Sequence, residues 1–328
     1  MFCKYPSIEN SYRQEFLTKI AEHGYDRATY VVQEKAHGAN LSIWTNDGQT
    51  FHAGKRSGPL AADERFYNFM EVVETATPAL RALWTELDAT QVLTQLTVFG
   101  ELIGGHYPHP DVPQNRTAIK TQKGVFYAPG NHFYAFDLLF GRETFVDVPT
   151  ATALFARYGL LHARTLYAGT LRECLAHSNA FDSTVPAALG LPPLTPNVCE
   201  GVVIRPEQPL FFNNGTRVIL KNKNERWAER IKPIKTVEDH ALTEEVTRLQ
   251  TAILGYVTEN RLANVLSKLG PVDRSNFGEA LRLFNADVLA DFRKNYGTAL
   301  DALDKKDRKR VTNAVNTVAV KLVRRHRI

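Results

Sequence analysis

The apolar period of this chain changes once, and that change limits the folds open to it. Up to about residue 225, short runs rich in Val, Ile, Phe, Tyr and Trp alternate with turn residues, at 29–34, 40–45, 49–54, 92–102, 123–140, 199–206 and 216–223. Such runs read as strands. From 238 to 327 the strand signals fade and the spacing is helical. The first part is therefore expected to be α+β with much antiparallel pairing, and the second all-α. Pro233 in KPIKT (232–236) blocks helix continuity, which sets the expected domains at 1–234 and 235–328.

Local signals fill in the first part. Asp47-Gly48 in TNDGQT marks a tight turn, so 40–45 and 49–54 are expected to pair as a hairpin. KGVFYAPGNHFYAFDLLF (123–140) reads as two strands around Pro129-Gly130-Asn131. Helices are expected over Ser7–Gly24, where Ile8, Tyr12, Phe16 and Ile20 recur every fourth residue, over 63–86, and over most of 150–178. LGLPPLTPN (189–197) reads as a loop.

Several of these strands carry charge where apolar residues are expected. EKAHG (34–38), FGELIGG (99–105), CEGVVIRP (199–206) and ILKNKN (219–224) share this design, and HAGKRSGP (52–59) and YAFDLL (134–139) resemble them. Taken singly, each reads as a solvated edge-strand charge. Taken together they are better explained by a polar cleft lined by strand ends, because enclosing an unpaired charge is costly. Alternation puts Lys221 and Lys223 on one face, and Phe99 and Glu101 on one face. Lys35, Arg56, Lys221 and Lys223 suit a polyphosphate. Glu101 and Glu200 suit Mg²⁺, which takes a few carboxylates plus waters and phosphate oxygens. A lysine enclosed among cations is available as an amine nucleophile. These residues point to attack by Lys35 on the α-phosphate of a nucleotide. No GxxxxGK[ST] loop is present, so the chemistry is not that of a P-loop hydrolase.

Composition adds bounds. A net charge of +5, with KKDRKR and RRHRI near the end, hints at an anionic partner such as nucleic acid. Cys3, Cys174 and Cys199 lack metal-ligand spacing, so a reduced, cytoplasmic setting is expected. No apolar run approaches the roughly 18 residues of a membrane span, and MFCKYPSIEN lacks the apolar core of a secretory leader. His106 and His109 in GGHYPHP fall in a loop and read as bystanders, Cys199 as a small packed residue, Trp44 and Trp84 as core, and RRHRI as a solvated tail first and an RNA contact second.

Lys35-Ala36-His37-Gly38 resembles the KxxG nucleotidyl-acceptor motif of the covalent nucleotidyltransferases, the ligases and capping enzymes. Phe99-Gly100-Glu101, Tyr134–Leu138, Glu200–Arg205 and Leu220–Lys223 resemble the later motifs in that family's order. KxxG alone occurs by chance; the ordered set does not. The likeness is closer still to the RNA ligase 2 family, typified by the phage T4 enzyme, through KYPSIEN, EKAHGANLS, KRSGP and GYVTENRLANVLSKLG (255–270). It spans nearly the whole chain, and is weakest over 145–195 and the extreme C-terminus.

The resemblance implies an adenylyltransferase domain followed by a small helical domain. It implies ATP-dependent sealing of 3′-OH/5′-phosphate nicks in duplex RNA, in the service of RNA repair. In this scheme the enzyme lysine takes AMP and passes it to the 5′-phosphate end, and the adjacent 3′-OH then displaces AMP. Carried over by motif, Lys35 is the adenylated nucleophile and Glu34 lies beside the adenine. Arg56 and Glu101 hold the ribose and phosphate region, and Phe136 stacks on the base. Glu200 binds the catalytic Mg²⁺ or Mn²⁺, and Lys221 and Lys223 contact the α-phosphate. His37 and Asn40 serve the later steps or the phosphates. Tyr5, Asp137 and Arg205 also fall on motif positions, Arg205 in place of the usual lysine, keeping charge but not shape. Arg261, Asp287 and Asp291 are implied to recognise the nick, although two acids four apart on a helix also suit a solvated face. The implied partner is nicked double-stranded RNA or an RNA/DNA hybrid, bound by a monomer away from any membrane.

Two other readings stand beside this one. A ligase acting on DNA, or a capping guanylyltransferase, usually carries an OB-type β-barrel after the last lysine motif; the helical pattern of 238–327 argues against both. A nucleic-acid-binding protein with an inactive site is disfavoured by the intact Lys35, Glu101, Glu200, Lys221 and Lys223.

Overall fold

The computed structural model describes residues 1–90, 93–227, 244–270, 272–273 and 275–326. The chain divides into two compact units, Met1–Arg226 and Trp227–Ile328. The boundary expected near 235, and KPIKT with it, lie outside the described residues.

The first unit runs β1 (Glu9–Asn10), α1 (Gln14–Glu22), β2 (Tyr30–Glu34), β3 (Ala39–Thr45), β4 (His52–Lys55), β5 (Gly58–Pro59), α2 (Phe69–Thr90), β6 (Leu96–Gly104), β7 (Asn131–Phe140) and β8 (Thr144–Phe145). It continues with α3 (Val148–Arg157), β9 (Thr165–Gly169), α4 (Leu171–Ala176), α5 (Val185–Ala188), β10 (Gly201–Pro206) and β11 (Leu220–Lys223). One sheet has the order β1-β11-β10-β2-β9 and the other β5-β4-β3-β6-β7-β8. The pairs are antiparallel except β1 with β11. The α+β architecture is the expected one, and so is the 40–45/49–54 hairpin, which forms as β3 and β4.

Alternation explains how each sheet is covered. Tyr30, Val32, Val202, Ile204 and Leu220 face Ile20 of α1 and Leu171 and Cys174 of α4. Leu41, Ile43, Val98, Leu102 and Leu138 face α2 and α3, through Leu80, Leu83, Leu154 and Phe155. Each fully buried aliphatic side chain contributes roughly 1.5–3 kcal/mol. The opposite, inner faces carry Tyr5, Phe99, Leu139 and Ile219 as a smaller core. They also carry the charged residues that the strands could not place outside. Trp44 and Trp84 are buried, as expected.

Several elements depart from expectation. The helix expected over Ser7–Gly24 starts only at Gln14, because Glu9 and Ser11 donate backbone hydrogen bonds to Ile219 and Lys221 and form an edge strand instead. The helix expected at 63–86 is α2, displaced to Phe69–Thr90. The run 123–140 holds one strand, not two: Phe126 is bonded through both backbone groups to the side chain of Asn197. The helix expected over 150–178 is broken by β9, an edge strand on β2. A bulge at Phe136 puts Phe99 opposite Asp137 and Gly100 opposite Ala135. It lets Ala135 and Leu138 share the larger core while Phe136 and Leu139 share the smaller one.

The second unit contains α6 (Glu244–Leu254), α7 (Glu259–Leu269), α8 (Phe277–Ala302) and α9 (Lys305–Arg325). Leu249, Ile253, Leu262, Phe284, Phe292, Val311 and Val323 form its core. Thr258 caps α7 and Asp304 caps α9. Arg324 and Arg325 are the last turn of α9, so the first part of RRHRI is helix rather than tail. Among the described residues, no helix is long and apolar enough to cross a membrane.

Candidate active site

Lys35-Ala36-His37-Gly38 carries the chain from β2 in one sheet to β3 in the other. Its backbone is pinned at both ends. Lys35 N donates to Gly201 O at 2.9 Å, and His37 N donates to the Tyr127 hydroxyl at 2.7 Å. A side chain at Gly38 would collide with the Leu102 carbonyl and Ile103 Cγ2, so the crossing fits against β6 only with glycine. The close approach that Gly38 permits is to its own neighbouring strand.

Three cationic or titratable groups converge on one carboxylate. Glu200 Oε2 lies 2.8 Å from Lys35 Nζ and 3.5 Å from His37 Nδ1, and Oε1 lies 2.7 Å from Lys223 Nζ. Burial pushes the Glu200 carboxyl up, but Lys223, Lys35 and His37 outweigh it and hold the group well below the usual carboxylate range. The sequence reading surrounded Lys35 with cations; its nearest partner is instead an anion, which lets two ammonium groups share a small enclosed space. Glu101 is held differently. Burial pushes it up to about 7, with Lys35 opposing and Glu200 adding to the rise. Two nearby carboxyls with affinities driven apart are a mark of a working site.

Lys221 shares the Lys223 face, and its carbonyl accepts from Ser11 N at 3.0 Å. Asn40 sits opposite Glu101 in the β3–β6 register and donates to Gly100 O at 3.4 Å. The Arg56 guanidinium holds the Tyr5 carbonyl and donates to Pro6 O and Ser7 Oγ, each at 3.4 Å.

A second buried network adjoins the first. Asp137 accepts from Tyr5 Oη at 2.8 Å and Arg217 Nη1 at 2.5 Å, and pairs with Arg205 Nη1 at 2.7 Å. Burial pushes Asp137 up, but the two guanidinium groups outweigh it and hold the carboxyl below its ordinary range. Arg205 also donates to Gln33 Oε1 at 3.1 Å and to the Phe136 carbonyl at 2.6 Å. Tyr5 rests edge-on against Phe136 at 5.0 Å between centroids.

Glu34 does not share the face of Lys35. Its carboxylate is buried and accepts from Ser183 Oγ at 2.6 Å, Thr184 N at 2.8 Å and Thr184 Oγ1 at 2.7 Å. Burial pushes it up, and these three donors oppose the rise. In the second unit Arg261 is buried and forks to Asp287 and Asp291, each at 2.7 Å. Asp291 is buried too, whereas the Asp287 side chain is 36% exposed, so only Asp291 departs from a solvated face. Cys199 is buried, and burial pushes its thiol up to about 11, as suits a packed residue.

Four contributors were not singled out from sequence. Gln33 and Arg217 lie close in sequence to Lys35 and Lys221, but neither reaches its partner by strand alternation alone: Gln33 meets Arg205, and Arg217 meets Asp137. Ser183 and Thr184 carried no signal, since only the folded chain brings them to Glu34.

The donor set fits a divalent cation shared with a phosphate. Glu200 Oε1 is buried and makes no hydrogen bond of good geometry, although Lys223 is near. Among the described residues, no three His, Cys, Asp or Glu side chains form a cage. Mg²⁺ is commonly held in that way, by one or two carboxylates with the rest from water and substrate.

The family model described as RNA ligase matches residues 28–223, and that described as T4 RNA ligase 2 C-terminal matches 240–321. The chain is 27% identical to the mitochondrial RNA-editing ligase 2 of Trypanosoma brucei brucei, over 90% of this chain and 84% of that protein. It is 28% identical to the mitochondrial RNA-editing ligase 1 of the same organism, over 85% of this chain and 73% of that protein. A solved Naegleria gruberi RNA ligase mutant with ATP and Mn is 14% identical, with a TM-score of 0.45, over 69% of this chain and 57% of that one. With family models covering both units and Lys35 set against Glu200 and Lys223, the chain belongs to the RNA ligase 2 family of RNA ligases.

Proposed function

We propose that this chain seals 3′-OH/5′-phosphate nicks in duplex RNA, drawing on ATP through a covalent lysyl-AMP on Lys35. The observation that carries the reading is the Lys35–Glu200–Lys223 cluster, in which a lysine amine and a second ammonium each lie within hydrogen-bond distance of one carboxylate.

In the first step Lys35 Nζ leaves Glu200, gives one ammonium proton to solvent and, as the neutral amine, attacks the α-phosphorus. A P–N bond forms, the P–O bond to the β-phosphate breaks, and pyrophosphate leaves with the electron pair while the amine proton goes to solvent. Lys221 and Lys223 take the charge that develops on the α-phosphate oxygens. Glu200, with Glu101 near it, would hold Mg²⁺ or Mn²⁺. That cation, when bound, neutralises phosphate charge and orients the leaving group. Arg56 and Asn40 flank the ribose and phosphates, and Phe136 stacks on the base. Glu34 lies at the adenine edge, with its carboxylate kept on Ser183 and Thr184. His37 serves the later steps, in which AMP passes to the 5′-phosphate and the 3′-OH displaces it. Arg261, Asp287 and Asp291 recognise the nick from the helical unit, and RNA repair is the role. The adenylyltransferase domain is taken as 1–234, the helical domain as 235–328, and the active form as a monomer.

Nicked duplexes that differ only in the sugar of the 3′-OH strand test this. RNA on that strand is expected to be sealed well over DNA. Equal sealing of an all-DNA nick contradicts the RNA assignment.

A further inference from the structure

Helix α9 presents a basic stripe that its packing does not use. Taking about 100° per residue, Lys306, Lys309, Arg310, Asn313, Thr317, Lys321 and Arg324 fall within about 60° of one line along the helix. All seven are exposed. The core residues Val311, Val315, Ala319 and Leu322 lie on the opposite side. From Lys306 to Arg324 the stripe is about 27 Å long at 1.5 Å per residue.

A solvated face that served only solubility would mix both signs of charge. This one does not. Asp307, the acid in the first turn, lies to the side of the stripe and pairs with Arg310 at 3.0 Å. At the N-terminal end the cations do not serve the helix, whereas Arg324 in the last turn complements the macrodipole. Lys305 and Lys306 stand in its first turn, where the macrodipole disfavours positive charge. Asp301 near this end is already engaged by Arg293 at 3.2 Å and Arg308 at 3.8 Å. The stripe has basic ends and an uncharged middle, in which the hydrogen-bonding Asn313 and Thr317 are followed by a half-buried Val320.

We infer that this face of α9 lies along the phosphate backbone of an RNA duplex, its two basic ends on phosphates and its polar middle over the sugars between them. The inference rests on the ligase reading above. It gives the helical unit a second contact with the duplex, remote in sequence from Arg261, Asp287 and Asp291. It reads charge and shape rather than base sequence.

The test uses the full chain with Lys306→Gln, Arg310→Gln, Lys321→Gln and Arg324→Gln combined. Binding to a nicked RNA duplex is measured over a salt series, beside labelling of the protein by α-labelled ATP. The slope of log K against log salt is expected to fall by about 3.6, since each of the four phosphate contacts adds about 0.9, with affinity at low salt down roughly tenfold or more. Labelling by ATP is expected to be unchanged. Lys306→Arg with Lys321→Arg keeps the charge, and is expected to keep slope and affinity. An unchanged slope and affinity in the glutamine variant overturns the inference. So does unmoved RNA affinity with lost binding to anionic phospholipid vesicles, which would assign the face to a membrane. If the unaltered protein takes the label but neither binds nor seals the nick, the ligase reading itself fails.

Discussion

At the scale of single residues, the site works by giving like groups unlike surroundings. Glu200 is held ionised by two ammonium groups, whereas Glu101 is pushed up to about 7 by burial and by Glu200. The consequence for stability has a definite sign. A carboxyl raised on folding contributes stability that is present below its unfolded value and lost as pH rises through about 7. Glu101→Gln mimics the neutral acid, so it is expected to raise Tm at pH 8 by about 3 °C and to change it little at pH 4.5. The same substitution is expected to weaken metal–nucleotide binding at pH 8, the familiar opposition of stability and function. Thermal melts and calorimetric titration at the two pH values check both; a lower Tm at pH 8 contradicts the assignment. Gly38 is the other single-residue control. Gly38→Ala is expected to displace the Lys35 crossing from β6 and to cut adenylation by roughly tenfold or more, because a shift of about 1 Å at the nucleophile costs about a hundredfold.

At the scale of elements, the second network ties β7, β10 and the N-terminal segment together through Asp137. Asp137→Asn leaves Arg205 and Arg217 buried against a neutral partner, and is expected to cost about 3 kcal/mol or more. Tyr5→Phe removes one hydrogen bond and is expected to cost about 1 kcal/mol. Urea unfolding of both variants gives the comparison; equal losses contradict the charge-centred account. The elements also show where the sequence was readable. Alternation identified the strands that carry Glu101 and Lys223 and those that end beside Lys35 and Glu200, because a buried sheet with charged inner positions has a period-two pattern that few other structures produce. It failed where pairing is decided at a distance. Glu9 and Asn10 carry a helical apolar spacing, yet they join β11 because that edge offers partners. Phe126 looks like strand, yet an asparagine side chain takes both of its backbone groups. Ser183 and Thr184 reach Glu34 across 149 and 150 residues of chain, and no local pattern records that.

At the scale of the whole molecule there are two compact units, with the proposed chemistry in the first and the proposed grip on RNA in the second. Arg261 is the point where that division can be tested. Its fork to Asp287 and Asp291 is buried within the helical unit, so Arg261→Lys is expected to spare labelling by ATP and to lower nick sealing by about tenfold or more, since lysine cannot bond both carboxylates in the same plane. Loss of both activities together would contradict the division of labour. The most direct measurement concerns Lys35. The protein is incubated with Mg²⁺ and each α-labelled nucleoside triphosphate, and the labelled peptide is then mapped. The account predicts one acid-labile AMP adduct, formed from ATP, located on Lys35 and absent from Lys35→Ala. An adduct that survives in Lys35→Ala, label from GTP in preference to ATP, or no adduct from any nucleotide would contradict it.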